Sequence, residues 1–466
     1  MNPYDLIIRH GDAILPGTGR TACDIAIRDG RIAAILAPGE PASASREIAA
    51  GGLVILPGVI DAHLHLGHGK DISRPREPLD ADRETAAAAK GGVTCCIPYL
   101  LSTEPYETLF DEVIGVTEAG ARIDFGYHLI ISTEEQLAGI PGYVGQGTPT
   151  FKIFMNNRGG EGKRLNMPDL DDGYLLRLCE AAAQNGGMVC PHPETIELAW
   201  VLRDRVMAAD PEGKGGLATW NATRPPFVEA DAVQRAGYIA RVAGAPVYIV
   251  HTSSEEALKA ALRQRRDGSE IYIETCPQYL THDVTAKEGV IAKVNPPLRE
   301  PSDREALWQA ILSGDVDTVA TDHAHRDLSS KEGGIWGASP GGPGMDTLLP
   351  VLLSEGYHKR GLSLERIAAL TSANPARIMG FGDRKGAIAP GLDADLAIVD
   401  LDASWTLRRE DVVSSAGYSL YEGWTFKGRV LHTLVRGKAA LTDGVLDDAA
   451  VGHGRFVKRK LTGRGQ

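Results

Sequence analysis

The sequence predicts an α/β protein: a (β/α)₈ barrel with a small β-sandwich domain formed by both termini. Three observations predict this fold. Eight short apolar runs alternate with helical stretches through the middle of the chain. Segments of β-strand character with glycine turns lie at both ends, and 466 residues are more than one minimal core requires.

Residues 1–56 are predicted to form the first part of the β-sandwich domain. Three apolar runs, DLIIRHGDAIL, CDIAIRDGRIAAIL and REIAAGGLVILPG, are separated by glycine-containing turns such as Asp29-Gly30. Such pairs favour tight β-hairpins. The same pattern of short apolar runs is found in DADLAIVDL and RVLHTLVRGKAAL, so residues 391–445 are predicted to complete the domain.

Residues 57–390 are predicted to form the TIM-like barrel, which leaves residues 446–466 as a C-terminal tail. The segments between its strands, such as DDGYLLRLCEAAAQNG and SSEEALKAALRQRRDG, have the apolar spacing of amphipathic helices and end at glycine. The predicted strands are VILPGVIDAHLH, GGVTCCIPYL, IDFGYHLII, TFKIFM, GMVCPH, APVYIVH, EIYIETC and VDTVATD.

The composition restricts the class of protein. A formal net charge of −12 argues against a general nucleic-acid-binding protein. No apolar stretch is long enough to span a membrane, and charged residues interrupt the N-terminal apolar stretch, which does not suit a secretory signal. The six cysteines form no Cys-x-x-Cys pair, which is typical of reduced thiols. We therefore expect a cytoplasmic protein with no nucleic-acid or membrane partner.

Side chains that bind metal ions fall at or near the ends of the predicted barrel strands. The C-terminal strand ends of such a barrel form its catalytic face, so we expect these side chains to converge. Each of them alone also fits a structural role, such as a buried histidine or a helix-capping aspartate. Their order on successive strands predicts a divalent metal centre. The candidate ligands are His63, His65, Lys152, His192, His251 and Asp322.

Lys152 is a cation within the apolar strand TFKIFM, where an unpaired ammonium is costly. One interpretation is an ion pair with Asp322 or a side chain that extends to the rim of the barrel. The other is a desolvated, neutral amine that adds carbon dioxide to form a carbamate. Charge balance favours the carbamate. Two divalent ions outweigh one carboxylate and one hydroxide, an ammonium would increase that excess, and a carbamate reduces it and supplies two bridging oxygens.

Several strings resemble one known superfamily. They include PGVIDAHLH, TFKIFM, IVHTSS, ETCPQYL, KVNPPLR, TDHA and GHGRFVKRK, and they extend over residues 57–460. They resemble the amidohydrolase superfamily, and more closely its hydantoinase, dihydropyrimidinase, allantoinase and dihydroorotase branch. The resemblance implies a hydrolase that acts on C–N bonds of small cyclic amides, imides or ureides.

The resemblance also implies the metal centre and the mechanism. Two divalent ions, usually zinc, would be bridged by carboxylated Lys152. A metal-bridging hydroxide would attack the amide carbonyl, with Asp322 as the catalytic proton shuttle. One ion would be held by His63, His65, Lys152 and Asp322, and the other by Lys152, His192 and His251. A homotetramer or homodimer is implied, in which the C-terminal GRFVKRK segment reaches a neighbouring subunit.

The predicted substrate-binding residues depart from the family pattern. Asn157 stands where hydantoinases have a tyrosine that stabilises the oxyanion, and Asn295 stands where serine is usual. Pro340 stands where an asparagine is usual and has no backbone N–H to donate. Arg158 lies in a glycine-rich, cationic loop, which is either a solvated surface loop or a binding loop for a carboxylate. We expect a small polar or acid-bearing ring substituent rather than an aryl group.

Other functions are compatible with the sequence. One is an allantoinase- or dihydroorotase-like hydrolase, although Gly67 stands where dihydroorotases have an arginine. Another is a mononuclear deaminase of the same superfamily, which would not need Lys152. The last is a non-catalytic scaffold related to dihydropyrimidinases. Scaffolds of that kind have lost metal ligands, whereas all six candidate ligands are present here.

Overall fold

The computed structural model describes residues 3–462, whose strands form two sheets. The first strands are β1 (Tyr4–Leu15), β2 (Gly19–Arg28), β3 (Arg31–Leu36), β4 (Ala44–Ala49) and β5 (Val54–Pro57). The barrel strands are β6 (Val59–His65), β7 (Val93–Leu100), β8 (Asp124–Phe125), β9 (His128–Ile130), β10 (Thr150–Phe154), β11 (Met188–His192), β12 (Val247–Ile249), β13 (Ile271–Thr275), β14 (Thr318–Val319) and β15 (His323–Ala324). The last strands are β16 (Leu396–Thr406), β17 (Thr425–Val435), β18 (Lys438–Thr442) and β19 (Val445–Leu446).

Helices connect the barrel strands. The α-helices are α1 (Pro78–Lys90), α2 (Phe110–Gly120), α3 (Glu134–Ala138), α4 (Ile140–Gly145), α5 (Asp172–Asn185), α6 (Ile196–Ala209), α7 (Gly216–Thr223), α8 (Pro226–Ala243), α9 (Glu255–Arg266), α10 (Pro277–Thr281), α11 (Pro301–Ser313), α12 (Gly334–Gly337), α13 (Leu348–Val351), α14 (Leu364–Ala368) and α15 (Asn374–Met379). π-Helical turns cover Leu352–His358 and Ala369–Ala373. The 3₁₀ helices are Tyr106–Thr108, Glu161–Leu165, Gly289–Ala292, Leu328–Lys331, Arg409–Asp411 and Asp448–Ala450.

The helix boundaries follow local sequence signals. The Asp171 side chain accepts a hydrogen bond from the backbone N–H of Tyr174 at 2.8 Å, which caps the start of α5. The same helix ends at Gly186, whose φ of 70° is in the left-handed region that favours glycine. Ser254 caps α9 in the same way as Asp171 caps α5. These local signals fix where both helices begin and where α5 ends.

Eight parallel strand positions close into a barrel, which confirms the predicted fold class. The order along the sheet is β6, β7, β9, β10, β11, β12, β13, β14, with β8 beside β7. The third position is divided between β8 and β9, and the eighth between β14 and β15. β15 pairs in parallel with β6, with His323 opposite Leu64, so the last position returns to the first. The strands are buried on both faces because helices cover their outer side.

Both terminal parts of the described chain contribute to one nine-stranded sheet. β1 pairs antiparallel with β2 and parallel with both β4 and β5, and β5 continues the sheet to β16. This sheet has a hydrophobic core separate from that of the barrel. Its buried members include Ile8, Ile25, Ile27, Leu396, Ile398 and Leu434. The predicted small β domain formed by both termini is thus present, and its strands, expected as a β-sandwich, all belong to one branched sheet.

A buried ion network joins the barrel to the small domain. Lys385 Nζ lies 2.7 Å from Asp124 Oδ2, 2.5 Å from Asp395 Oδ2 and 3.2 Å from Asp393 Oδ2. Arg436 of β17 also ion-pairs with Asp124. Asp124 begins β8 of the barrel, whereas Asp395 immediately precedes β16. The network therefore fixes the two sheets relative to each other.

The segment after β19 lies along its own barrel, at the N-terminal ends of the strands. The Val457 N–H donates to the Phe125 carbonyl at 2.7 Å, and the Arg459 N–H donates to the Gly147 carbonyl at 2.9 Å. The resemblance assigned this segment to a contact with a neighbouring subunit. Within the described residues it contacts the barrel of the same chain.

None of the helices described here is long and apolar enough to cross a lipid bilayer.

Candidate metal centre

Four of the six predicted ligands form one cluster at the C-terminal end of the barrel. His63 Nε2 lies 3.1 Å from Asp322 Oδ1 and 3.5 Å from Lys152 Nζ. His65 Nε2 lies 3.7 Å from the same Asp322 oxygen. β6 presents both histidines on one side because alternate residues of a strand share a face. The structure thus brings together the residues that the resemblance assigns to the first metal ion.

His192 and His251 form a second cluster beside the first. His192 ends β11, His251 follows β12, and His192 Nδ1 lies 2.8 Å from His251 Nε2. The ring centroids of His251 and His63 are 5.3 Å apart. All six predicted ligands therefore converge in two adjacent groups.

Two of the ligands have an unusual backbone conformation. His251 has a φ of 41° and Asp322 a φ of 51°, both in the left-handed region that non-glycine residues rarely adopt. The Asp322 N–H donates to the His63 carbonyl at 2.9 Å, which ties the eighth strand position to the first. Such strain costs roughly 1–3 kcal/mol per residue and is found mainly at functional sites.

Two buried glutamates orient the histidines, and neither was among the site residues predicted from the sequence. His63 Nδ1 donates to Glu274 Oε1 at 2.6 Å, and His192 Nε2 donates to Glu194 Oε2 at 2.7 Å. Although burial acts in the opposite direction, the Arg224 guanidinium and the bond to His192 hold the pKa of Glu194 at about 2. A charged carboxylate accepts the ring proton, so the other ring nitrogen of each histidine faces the cluster with a lone pair.

Sequence signals for both glutamates exist. Glu274 is an acid within the apolar strand EIYIETC, and Glu194 follows His192 by two positions in PHPET. A carboxylate in such a position requires a buried partner. The histidine ligands are the partners that the structure supplies.

Lys152 is buried, with only 1% of its surface exposed. Its Nζ lies 4.3 Å from the centroid of the Tyr99 ring and has no ion pair with Asp322 or any other carboxylate in the described part of the chain. Burial lowers the pKa of its amine, although the charges of Asp322 and Glu274 act in the opposite direction. The structure therefore shows neither the ion pair nor the exposed lysine of the first interpretation.

The donor set fits two divalent ions. Four imidazoles, a carboxylate and a lysine amine form the two clusters, and nitrogen and carboxylate ligands of this kind suit zinc. The proton-bearing nitrogens of His63 and His192 are held by glutamates, which leaves their other nitrogens available for metal. Within this centre, the ligand atoms of His63, His65 and Asp322 all lie within 4.8 Å of one another.

A cavity of about 570 Å³ opens above the two clusters. Of the predicted substrate-binding residues, Asn157, Asn295 and Pro340 line it. Their polar groups are already engaged: Asn157 Nδ2 donates to the Pro168 carbonyl at 2.7 Å, and Asn295 Oδ1 accepts from Trp220 Nε1 at 3.1 Å. One amide hydrogen of Asn157 remains available for a substrate.

Arg158 is not brought together with the other predicted substrate-binding residues. Its Nε donates to the Leu170 carbonyl at 2.8 Å, and its two terminal nitrogens ion-pair with Glu197 and Asp172, each at 2.7 Å. Within the described residues it is not part of the cavity wall. Its guanidinium fork holds the loop after β10 against α5 and α6.

Other cations line the cavity that were not among the site residues predicted from the sequence. They are Arg203, Arg224, Lys293 and Arg326. Arg203 pairs with Glu161 at 3.0 Å and Arg224 with Glu194 at 3.1 Å. Arg326 follows Asp322 by four residues, but its spacing alone gave no sign that it faces the cavity.

Comparisons with known proteins agree with this geometry. Residues 239–440 match the model of the amidohydrolase family. The chain is 36% identical to an allantoinase of Rubrobacter xylanophilus, over 98% of each sequence. It is 33% identical to a D-hydantoinase of Rhizobium radiobacter, over 98% of this chain and 99% of the relative. The solved structure of an L-hydantoinase (dihydropyrimidinase) from Arthrobacter aurescens superposes with a TM-score of 0.89 at 28% identity, covering 98% of this chain and 100% of that one.

Proposed function

Because this chain belongs to the amidohydrolase family, in the group of the hydantoinases and allantoinases, we propose that it is a hydrolase that opens the C–N bond of a cyclic amide, imide or ureide. The observation that carries this proposal is the convergence of the six ligand side chains beneath a cavity at the catalytic end of the barrel. A scaffold would not require this convergence. A mononuclear deaminase would not require a buried lysine beside His63.

We propose that the two clusters hold two divalent metal ions, with zinc as the expected metal, and that Lys152 is carboxylated. Its buried amine lies 3.5 Å from His63 Nε2, and no carboxylate in the described residues neutralises it. His63, His65 and Asp322 would hold one ion, His192 and His251 the other, and Lys152 both. When bound, the ions acidify water and polarise the substrate carbonyl.

Asp322 is the proposed proton shuttle. Its carboxylate lies on the cavity floor, with Oδ1 beside His63 and His65. As water adds to the carbonyl carbon, Asp322 takes one proton from that water. It then delivers the proton to the ring nitrogen as the C–N bond breaks. The product is an open-chain N-carbamoyl or amic acid, and Asp322 returns to its ionised form.

The proposed substrate ring carries a small polar or acid-bearing group. The support comes from the cavity wall, where cationic side chains outnumber carboxylates. Trp220 is a large aromatic residue of the wall, but Lys293 Nζ lies 3.9 Å and the Arg224 guanidinium 4.7 Å from its ring centroid. Cations therefore occupy the surroundings of the Trp220 ring, and Phe154 and Trp336 are the further aromatic residues of the wall.

A hydrolysis screen tests the proposed function. The protein is loaded with Zn²⁺ or stripped with a chelator and assayed on hydantoins, dihydrouracil, allantoin, dihydroorotate and succinimide. We expect metal-dependent ring opening of at least one compound. If neither the metal-loaded nor the stripped protein is active, the result would favour the non-catalytic scaffold. A clear preference for a phenyl-substituted over a carboxymethyl-substituted hydantoin would reject the proposal of a polar or acid-bearing substituent.

We also propose a homodimer or homotetramer in the cytoplasm. Helices α6 and α8 leave large apolar side chains exposed, and such patches mark protein contacts. They are Leu198, Val201, Phe227, Tyr238 and Val242. Sedimentation velocity would measure the mass, and a monomer at micromolar concentration would contradict the assembly.

A further inference from the structure

A column of buried side chains connects the C-terminal segment to Lys152 through the interior of the barrel. Arg459 Nη2 donates to Thr150 Oγ1 at 2.8 Å, and Thr150 Oγ1 lies 2.7 Å from His128 Nδ1. The His128 ring stacks on Tyr99, with centroids 4.3 Å apart and planes 20° apart. The Tyr99 ring is the one that lies 4.3 Å from Lys152 Nζ. Every member of the column is at least 97% buried.

Arg459 is an unusual residue for the bottom of a barrel. It is 3% exposed, and no carboxylate in residues 3–462 forms an ion pair with it. Its terminal nitrogens also donate to the carbonyls of Tyr127 and, at 3.3 Å, Met379, whereas Nε has no hydrogen-bond partner in the described residues. Burial lowers its pKa to about 10. A guanidinium held only by neutral acceptors is costly to bury, so this position calls for a functional explanation.

The direction of the hydrogen bonds determines the tautomer of His128. Arg459 can only donate, so Thr150 Oγ1 accepts from it and has its single proton available for His128 Nδ1. His128 Nε2 faces the carbonyl oxygen of Ala62 at 2.9 Å, and a carbonyl can only accept. His128 is therefore neutral, with its proton on Nε2. Burial and the Arg459 charge hold its pKa well below the usual value, in agreement with this assignment.

The fixed His128 ring contacts two of the strands that carry predicted metal ligands, β6 and β10. Ala62, which accepts from Nε2, immediately precedes His63 on β6. Thr150 precedes Lys152 by two positions on β10, so both side chains point to the same face of that strand. The Tyr99 ring also contacts His63, at 4.8 Å between centroids. A displacement of His128 would reach the ligands because a densely packed interior transmits strain.

We propose that Arg459 and His128 are positioning residues that hold Lys152 and His63 in the geometry required for metal binding. Arg459 fixes the tautomer and the ring plane of His128 from the opposite end of the barrel. His128 then fixes the β6 backbone before His63 and, through Tyr99, the amine of Lys152. This role rests on the metal centre described under the proposed function.

Zinc affinity of the full-length protein tests the role. Competition with a chromogenic chelator would compare Arg459→Met with Lys458→Met, a matched control whose exposed side chain belongs to the same segment. We expect Arg459→Met to weaken Zn²⁺ binding about tenfold, the lower end of the effect seen for residues that support metal ligands indirectly. Lys458→Met should bind as the parent protein does, and Arg459→Lys should recover part of the loss.

A spectroscopic measurement reports on His128 independently of metal. In protein with ¹⁵N-labelled histidine, the His128 signals, assigned by their loss in His128→Phe, should show the Nε2–H tautomer. Arg459→Met should give a mixture of tautomers. His128→Phe keeps the stacked ring but loses both hydrogen bonds, so it should also weaken Zn²⁺ binding. This variant tests the role if Arg459→Met does not fold.

The outcomes separate the two proposals. Unchanged Zn²⁺ affinity in Arg459→Met and His128→Phe, with only a lower unfolding midpoint, would reduce the column to a structural role and overturn this inference. Failure of the parent protein to bind Zn²⁺ would overturn the metal centre and the positioning role together. A parent protein with His128 protonated on Nδ1 would overturn the column itself.

Discussion

The proposed function assigns both metal binding and proton transfer to the Asp322 carboxylate, and a substitution can separate the two roles. Asp322→Asn keeps an oxygen beside His63 and His65 but removes the basic group. We expect kcat to fall about 100- to 10,000-fold, the range that a positioned acid or base contributes. Metal content should stay near that of the parent protein. Turnover should be measured on the best substrate of the screen, with Asp383→Asn, on the surface, as control; near-parent turnover would exclude the role.

Lys152 is the second residue whose role can be tested alone. Lys152→Ala removes the proposed carbamate that holds both ions, so most of the bound metal and activity should be lost. Metal content would be measured by inductively coupled plasma mass spectrometry. Short carboxylic acids should restore part of the activity of the variant. In the parent protein, ¹³CO₂ should produce a carbamate ¹³C signal. An active protein with one metal ion and a free lysine would contradict the proposal.

Residue types indicated the ligands, but not the partners of the ligands. His63, His65 and Lys152 could be selected because each ends or interrupts an apolar strand, and period-two alternation puts His63 and His65 on one face. Glu274 was missed because its contact with His63 joins strands distant in sequence. Glu194 lies two positions from His192, but Arg224, its other buried partner, lies 30 residues further along the chain. Arg158 was expected at the substrate because of its neighbours in the sequence. Its actual partners, Glu197 and Asp172, lie on other elements and could not be inferred from the loop alone.

At the level of elements, the strand ends were predicted better than the loops. Periodicity gave the barrel strands because each apolar run is buried on both faces. It did not show that the third and eighth positions are divided, β8 from β9 and β14 from β15. Those breaks depend on local backbone geometry, such as the positive φ of Asp322 just before β15. Loop side chains face the cavity or avoid it according to tertiary contacts that periodicity does not encode.

The two loop arginines should therefore differ in their effect on substrate. Arg326 lines the cavity, where its Nε donates to the Pro340 carbonyl at 3.0 Å, whereas Arg158 does not line it. If Arg326 binds an acidic substituent, Arg326→Met should lower kcat/KM for carboxymethyl hydantoin about 10- to 100-fold, since a hydrogen bond to a charged group contributes about 1.5–3 kcal/mol. Arg158→Met should leave the ratio of carboxymethyl to unsubstituted hydantoin unchanged. If Arg158→Met lowered that ratio and Arg326→Met did not, the site for the acidic substituent would instead lie in the loop after β10.

For the whole molecule, the sequence predicted the architecture but not the connection between its parts. Because both termini have the same pattern of short apolar runs, we correctly predicted that they form one small domain. The buried ion network between that domain and the barrel includes Lys385, Asp124 and Asp395, which come from distant parts of the chain. Charged residues are usually exposed, so nothing in the local sequence marks these three as buried.

Replacing Lys385 tests how much this buried ion network contributes to the free energy of unfolding. Lys385→Met leaves Asp124, Asp393 and Asp395 buried without their shared cation. We expect the free energy of unfolding to fall by roughly 3–5 kcal/mol, as is typical when one partner of a buried ion pair is removed. Urea denaturation would measure it, with Lys359→Met as the control. Lys359 forms an exposed ion pair, and its loss should cost less than about 1 kcal/mol. Equal midpoints for the two variants would show that the network contributes little.

The position of β5 between β1 and β16 has a consequence for synthesis on the ribosome. The partner strand β16 begins roughly 340 residues after β5 ends. At a translation rate of about 5–20 residues per second, β5 waits for tens of seconds with one hydrogen-bonding edge open. An open, apolar strand edge is a template for association with other chains. We therefore expect the nascent chain to need protection of this edge, by a chaperone or by early closure of the barrel beside it, until the final strands emerge.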